Sequence, residues 1–419
     1  MPALITDPPY AQLLANHAIT ANGFLPLASP LARLPPTYDA WEDIAHHLPK
    51  LLAAGDLRAA VDRLPVLPAD GIQTEQEWRR AYVVLAFLTH AYIWCGAEPA
   101  ATIPPAITVP FLAVCATLDL PPVLTYAASN LWNFCSSSPT LDFTDVSTLT
   151  VPMTFTGTRS EEWFFKISVA MEAQGAATIP RMLGALDAVA RGDFSAVADA
   201  LEHLAEAIHK TTQLLNRMHE GCDPATFYHA IRPFLAGTKN MASVGLPNGV
   251  FFDEGSGRGT FRALRGGSNG QSSLIQFWDL VLGVNHRGEA DGDETFHEQV
   301  RGYMPGGHRR FLANVRETGG LRKAVLHCRD ERVREMYGRA VGALTEFRNA
   351  HIGIVTRYIV TPSRRAAGRN VGGGGIKRVK TNLATVSAGK DELTGTGGTA
   401  LIPFLKQSRD ETREAGLVD

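Results

Sequence analysis

The sequence predicts an all-α protein, a large helical domain preceded by a smaller, proline-rich helical one. Apolar residues recur at i, i+3, i+4 and i+7 in stretch after stretch, the spacing that puts them on one face of a helix. Clear runs of alternating β-branched residues are nearly absent. Prolines and glycines punctuate the stripes and mark where helices stop.

The first part of the chain carries Leu34-Pro35-Pro36 and Ile103-Pro104-Pro105. It reads as short helices joined by rigid turns. Stripes appear at Trp78 to Trp94, Thr108 to Leu118 and Val123 to Phe134. From Ser136 to Thr158 the helical pattern fades, so the expected domains are residues 1–155 and 156–419. The second opens with Thr158-Arg-Ser-Glu161, which fits a capping box. Stripes then run from Ser160 to Gln174, Ile179 to Ala190, Phe194 to His219, Pro224 to Leu235 and Ser272 to Leu282. The last are His308 to Val315, Arg332 to Val360 and Leu401 to Ala415. Asp223 and Pro224 suit the cap and first position of their helix.

Two glycine-rich stretches interrupt this part, Asp253 to Gly270 and Arg364 to Thr399. Both are expected to be loops, and the second has the length of a lid. Neither matches GxxxxGK[ST] or follows a strand, so neither is a phosphate loop.

Composition narrows the function. Lys+Arg (40) nearly balances Asp+Glu (42), for a net charge of −2. A nucleic-acid or membrane-surface protein would carry a basic excess. The longest apolar stretch, Ala81 to Cys95, contains His90 and falls short of the roughly 20 residues that span a bilayer. The N-terminal Met-Pro-Ala-Leu-Ile-Thr-Asp-Pro lacks the pattern of a signal peptide. Five scattered cysteines, never in CxxC spacing, read as reduced thiols. A cytoplasmic location is expected.

The residue that asks most for a partner is His351. It shares a helical face with Leu344, Phe347, Val355 and Tyr358, and Arg348 lies one turn before it. An imidazole and a guanidinium on an apolar stripe cost several kcal/mol if buried unpaired, on the order of the price of desolvating a polar group. A core hydrogen bond or a metal would each satisfy the imidazole. Three further segments accompany it. Gly266-Gly-Ser-Asn-Gly-Gln-Ser-Ser-Leu-Ile-Gln-Phe-Trp-Asp279 places Asp279 on the stripe of Ile275 and Leu282. Tyr303-Met-Pro-Gly-Gly-His308 and Gly395-Thr-Gly-Gly-Thr-Ala-Leu-Ile-Pro-Phe-Leu-Lys406 complete the set.

In this combination and order the sequence resembles the indoleamine 2,3-dioxygenase family of haem enzymes, most densely from about Leu120 onward. The resemblance implies haem b, held by His351 as the iron ligand, with Arg348, Asp279 and Ser268 beside it. The second domain would then be the haem-binding one and the first would cover the distal pocket. Phe164-Phe165-Lys-Ile-Ser168 resembles the distal helix, which would put Phe164 near the indole and Ser168 above the iron. Tyr126 and Ser129 would surround the ring. Phe227 and Tyr228 would form the other wall, and Arg232 would bind the substrate carboxylate through its planar fork. Ser268, Asn269 and Thr396 would close over the amino-acid end. Phe165 and Val169, on the opposite face, read as core packing.

The implied activity inserts O2 across the C2–C3 bond of L-tryptophan, or a related indoleamine, to give N-formylkynurenine. Ser168 and Arg232 would serve catalysis, a reductant would keep the iron ferrous, and the chain would act as a monomer. Three departures stand out. Tyr228 replaces a usual phenylalanine, Asn269 replaces a small apolar residue, and Pro233 should bias Arg232 away from α geometry. Tyr228 and Asn269 motivate an alternative, a haem-dependent indole monooxygenase or peroxidase-like enzyme on a tryptophan derivative. A haem-binding sensor with little turnover is a second.

Overall fold

The computed structural model describes residues 8–287, 294–369 and 401–416. Helices dominate it, as expected. The long ones are Asp39–Ala54, Glu75–Trp94, Pro105–Leu118, Arg159–Gly175, Thr178–Arg191, Phe194–Asn216, Glu331–Val355 and Leu401–Ala415. No helix among the described residues is long and apolar enough to cross a membrane.

Two clusters of buried side chains carry the packing. One is centred on the Glu75–Trp94 helix, whose residues from Arg80 to Ala91 are buried without a break. The other joins Thr178–Arg191, Phe194–Asn216, Ser273–Leu282 and Glu331–Val355. The Arg159–Gly175 helix packs Phe165 and Val169 into the first cluster, so its opposite face is turned elsewhere. His90 shows how a core histidine is satisfied here. Its Nδ1 lies 2.7 Å from the Phe234 carbonyl and its Nε2 accepts from Leu124 N at 2.9 Å. Burial drives its pKa down to about 4, so the ring is neutral.

Several local expectations need correction. The stretch from Asp253 to Gly270 is not all loop. It holds most of an antiparallel hairpin, Val250–Gly255 with Arg258–Arg262, which also pairs in parallel with Thr102–Ile103. Gly255, Ser256 and Gly257 turn the hairpin with φ of 82°, 55° and 75°, so these glycines make a tight turn between strands. From Val123 to Phe134 there is no α-helix but a single π-turn, Ala127–Leu131. Ser129 Oγ bonds back to the Thr125 carbonyl, a side-chain competition that disfavours regular helix.

Pro224–Leu235 is likewise divided, into Pro224–Thr226, a π-turn Phe227–Ile231 and Arg232–Leu235. Pro233 does not push Arg232 out of α geometry, which keeps φ −54° and ψ −37°. The extra residue of the π-turn frees the carbonyls that the proline nitrogen cannot serve. Thr158 caps its helix, accepting from Glu161 N at 3.3 Å. The Glu161 carboxylate, however, reaches past Thr158 to Phe155 N and Thr156 N. Full capping boxes stand at Thr74–Glu77 and Thr295–Glu298 instead.

Candidate active site

A cavity opens where the Arg159–Gly175, Phe227–Ile231, Ser273–Leu282, Glu331–Val355 and Leu401–Ala415 segments meet. Nearly all the residues singled out in the sequence line it. From the first part of the chain come Tyr126 and Ser129, and from the 159–175 helix Phe164 and Ser168. Phe227 and Arg232 follow, then Ser268 and Asn269, then Asp279, Arg348 and His351. Tyr228 is not among the lining residues. It lies behind Arg232, whose guanidinium sits 5.9 Å over its ring. Thr396 and the rest of the Gly-Thr-Gly-Gly-Thr run lie outside the described residues.

Local structure explains the placement. On the 159–175 helix, Phe164, Ser168 and Glu172 follow one another at four-residue steps, one per turn, on the cavity side. The Phe164 ring meets Phe227 at 5.0 Å, and Phe227 meets Tyr358 edge-on at 5.8 Å. Aromatic contacts therefore run from the 159–175 helix to the turn that follows His351's helix. The glycine run is equally specific. A Cβ on Gly266 would lie 2.1 Å from the Leu235 carbonyl oxygen, so only glycine lets this loop cross against the backbone of Leu235 to Gly237. Gln271 then ties the loop to the π-turn, accepting from Tyr126 N at 2.9 Å and donating to the Gly266 carbonyl at 2.9 Å.

His351 faces the cavity but is otherwise enclosed by protein. Burial, with the Arg348 charge adding to it, lowers its pKa to about 4, so the imidazole is neutral. Among the described residues nothing hydrogen-bonds the ring, in contrast to His90. It is a neutral nitrogen donor facing an enclosed space.

Beside it lies a charged cluster. Arg348 Nη2 is shared between the Asp279 carboxylate oxygens at 2.8 and 2.7 Å. Two histidines and a glutamate that no sequence pattern singles out extend it. His286 bonds Asp279 through Nε2 at 3.1 Å and Glu411 through Nδ1 at 2.7 Å. His297 stacks on His286 at 3.7 Å between ring centroids. Burial opposes a charge on His286, but the two carboxylates overcome it and raise its pKa. Burial also works against the Asp279 charge, and Arg348 and His286 override it, holding the carboxyl well below its usual range. Burial and the neighbouring His286 charge keep His297 neutral. Asp279, His286 and His297 have the composition of a metal site. The geometry is not one: both His286 nitrogens are hydrogen-bonded, and rings stacked at 13° aim their lone pairs side by side.

Two more groups set the cavity's polarity. Arg232 is 5% exposed, and burial lowers its pKa to about 10, so it remains charged. A charge so desolvated favours an incoming anion. Glu172, also missed in the sequence, accepts from Tyr126 Oη at 3.0 Å and Ser272 Oγ at 2.6 Å, both at Oε1. Its Oε2 has no hydrogen-bond partner among the described residues. Burial raises its pKa to about 7 against these two hydrogen bonds. It sits one turn past Ser168, and that spacing was its only available signal.

The family model of indoleamine 2,3-dioxygenase matches residues 13–415. An indoleamine 2,3-dioxygenase of Penicillium citrinum is 40% identical over 96% of this chain and 88% of its own length. A 6-hydroxytryptophan 2,3-dioxygenase of Fusarium equiseti is 38% identical, covering 95% of this chain and 96% of its own. The indoleamine 2,3-dioxygenase of Saccharomyces cerevisiae is 38% identical over 96% of this chain and 93% of its own. A neutral histidine facing an enclosed cavity, a buried arginine and a family match across nearly the whole chain agree: this protein is an oxidoreductase of the indoleamine 2,3-dioxygenase family.

Proposed function

We propose that the protein is a haem b dioxygenase that adds both atoms of O2 across the indole C2–C3 bond of L-tryptophan, giving N-formylkynurenine. The observation that carries this is the neutral His351 imidazole, unbonded among the described residues and facing the same cavity as Arg232. The donor set fits haem. His351 would supply a nitrogen ligand to the iron, and Arg348, backed by Asp279, would supply a cation for the cofactor's carboxylates. When bound, the haem would supply the oxygen activation that no side chain here can perform.

The chain's own residues bind, orient and exclude water. Arg232 would hold the substrate carboxylate, with Ser268 and Asn269 near the amino-acid end. Phe164, Tyr126 and Ser129 would enclose the ring, and Phe227 would form part of the wall. Ser168 donates weakly to its own helix, to the Phe164 carbonyl at 3.4 Å, so its oxygen is open to accept. We read residues 1–155 as the part that covers the distal pocket, contributing Tyr126 and Ser129, and 156–419 as the haem-binding domain. A monomer in the cytoplasm, served by a cellular reductant, completes the reading.

The test is a single assay: purify the protein with haem, record the Soret band, reduce it, and add L-tryptophan and O2. A product heavier by two oxygen atoms supports the reading. A product with one added oxygen favours the monooxygenase alternative. Asn269 lines the cavity and keeps that alternative in view, whereas Tyr228, lying outside the lining, gives it no support.

A further inference from the structure

The π-turn Ala127–Leu131 holds a polar side chain for which the reading above has no use. Asn130 is 2% exposed and lines the cavity beside Tyr126, Ser129 and Phe164. Its amide nitrogen donates to Ser129 Oγ at 3.1 Å, and the Ser129 hydroxyl donates onward to the Thr125 carbonyl at 3.2 Å. In this arrangement the Ser129 proton is directed to Thr125, and its oxygen accepts from the Asn130 nitrogen. Asn130 Oδ1 is left buried with no hydrogen-bond partner among the described residues. Asn133, three residues on, shows the contrast. Its nitrogen donates to the Ser129 and Met153 carbonyls at 3.3 and 2.9 Å, and its oxygen accepts from Met153 N at 3.0 Å. Asn133 is a structural amide with every partner in place; Asn130 lacks one, and on the cavity side.

A buried acceptor left open is a standing cost that a donor in the cavity would remove. Indole itself offers one donor, N1–H, which adjoins C2 and so stays beside the reacting bond. The benzo edge presents only C–H groups. The π-turn packs on the 159–175 and 75–94 helices, while His351's helix packs on the 194–216 and 401–415 helices. Asn130 and His351 therefore belong to different walls. With the C2–C3 bond on the His351 side and the amino-acid end held at Arg232, the substrate donor left for Asn130 is a substituent on the benzo ring.

We propose that Asn130 is a specificity-determining residue that favours indole amino acids bearing a hydroxyl on the benzo ring, accepting that hydroxyl's hydrogen bond at Oδ1. This rests on the dioxygenase reading and names the substrate class of the same site. An unsubstituted ring desolvates the amide oxygen and leaves it unpaired; a ring hydroxyl pairs it. One such bond is worth a discrimination of about tenfold or more.

The experiment compares kcat/KM for L-tryptophan, 5-hydroxy-L-tryptophan and 6-hydroxy-L-tryptophan. It uses the haem-loaded wild type and the Asn130→Leu and Asn130→Ala variants. In the wild type at least one hydroxylated substrate is expected to exceed L-tryptophan by about tenfold, and in both variants that ratio should fall by about as much. The ratio is the decisive readout, because a loosened pocket lowers all three substrates together, and the greater electron density of hydroxyindoles acts equally in every variant. A wild type without preference, or a ratio that survives both substitutions, overturns the proposal. If neither variant folds, Asn130→Val takes their place, and a ratio that survives in it likewise overturns the proposal. Oxidation of L-tryptophan without any ring preference sinks this inference alone. Absence of dioxygenated product from all three substrates sinks the dioxygenase reading and this inference with it.

Discussion

Arg348 Nη2 lies 2.8 and 2.7 Å from the two carboxylate oxygens of Asp279, and both side chains line the cavity that His351 faces. The pair joins the helix that carries His351 to the helix that follows the glycine loop, and Arg348 Nη1 also reaches the Ser408 carbonyl at 3.3 Å. Three chain segments therefore depend on one guanidinium.

Removing one member should leave the other buried and uncompensated, which costs about 3–5 kcal/mol. Asp279→Ala and Arg348→Ala are each expected to lower the thermal midpoint and weaken haem retention. The double variant should cost less than the sum. Chemical denaturation of all four forms checks this, and strict additivity would show that the two residues act independently.

His286 gives the cluster a pH dependence. Its folded pKa is raised above the ordinary 6.5 by Asp279 and Glu411, which outweigh its burial. Its stabilisation is therefore fully present below 6.5 and is lost as pH rises through the raised folded value. The groups facing it are Asp279, Glu411, His297 and Arg348. Thermal melts across this range should show an alkaline loss in the wild type that flattens in His286→Gln. Identical slopes in the two proteins would remove His286 from the account.

Glu172 provides a second titration, inside the cavity. Its pKa of about 7 is raised chiefly by burial, so the neutral acid is favoured below that value and the carboxylate appears above it. Folding stability linked to this group falls as pH rises from 4.5 through about 7. Substrate affinity is expected to change over the same limb, because the charge appears in the pocket wall. Glu172→Gln should abolish the limb near 7 in the pH profile of kcat/KM; its persistence would assign the limb to another group.

Arg232 is expected to act on both binding and turnover. Arg232→Ala should lower kcat/KM for L-tryptophan by about a hundredfold or more, since a buried charged hydrogen bond is lost and the ring loses its alignment. Arg232→Lys should recover part of it. Tryptamine, which lacks the carboxylate, should lose far less on the same substitution. Equal losses for both substrates would mean that Arg232 supports the fold and not the carboxylate.

The long stripes were legible because helical periodicity and burial have the same origin. Glu331–Val355 and Phe194–Asn216 appear almost where their apolar faces begin and end. The three π-turns, Ala127–Leu131, Phe227–Ile231 and Thr356–Val360, were not legible, since a single inserted residue leaves the apolar spacing nearly intact while shifting the hydrogen bonds. The 250–262 hairpin was hidden because Gly255 and Gly257 resemble loop glycines until their strands are seen to pair. Within the site, His351, Arg348, Asp279 and Arg232 were readable because charge on an apolar stripe is conspicuous. His286 and His297 lie on no stripe, and only tertiary folding stacks them. Asn130 lies inside the Val123 to Phe134 stripe, yet its open oxygen follows from the hydrogen-bond order around Ser129, which no sequence pattern encodes.

The central claim is that His351 is the iron ligand. The most direct measurement is the absorption spectrum of haem-reconstituted wild type, His351→Ala and His351→Gly, with circular dichroism as the check on folding. The account predicts a Soret band in the wild type, its loss in both folded variants, and its return in His351→Gly on adding imidazole. A wild-type-like Soret band in folded His351→Ala, unchanged by imidazole, would contradict it.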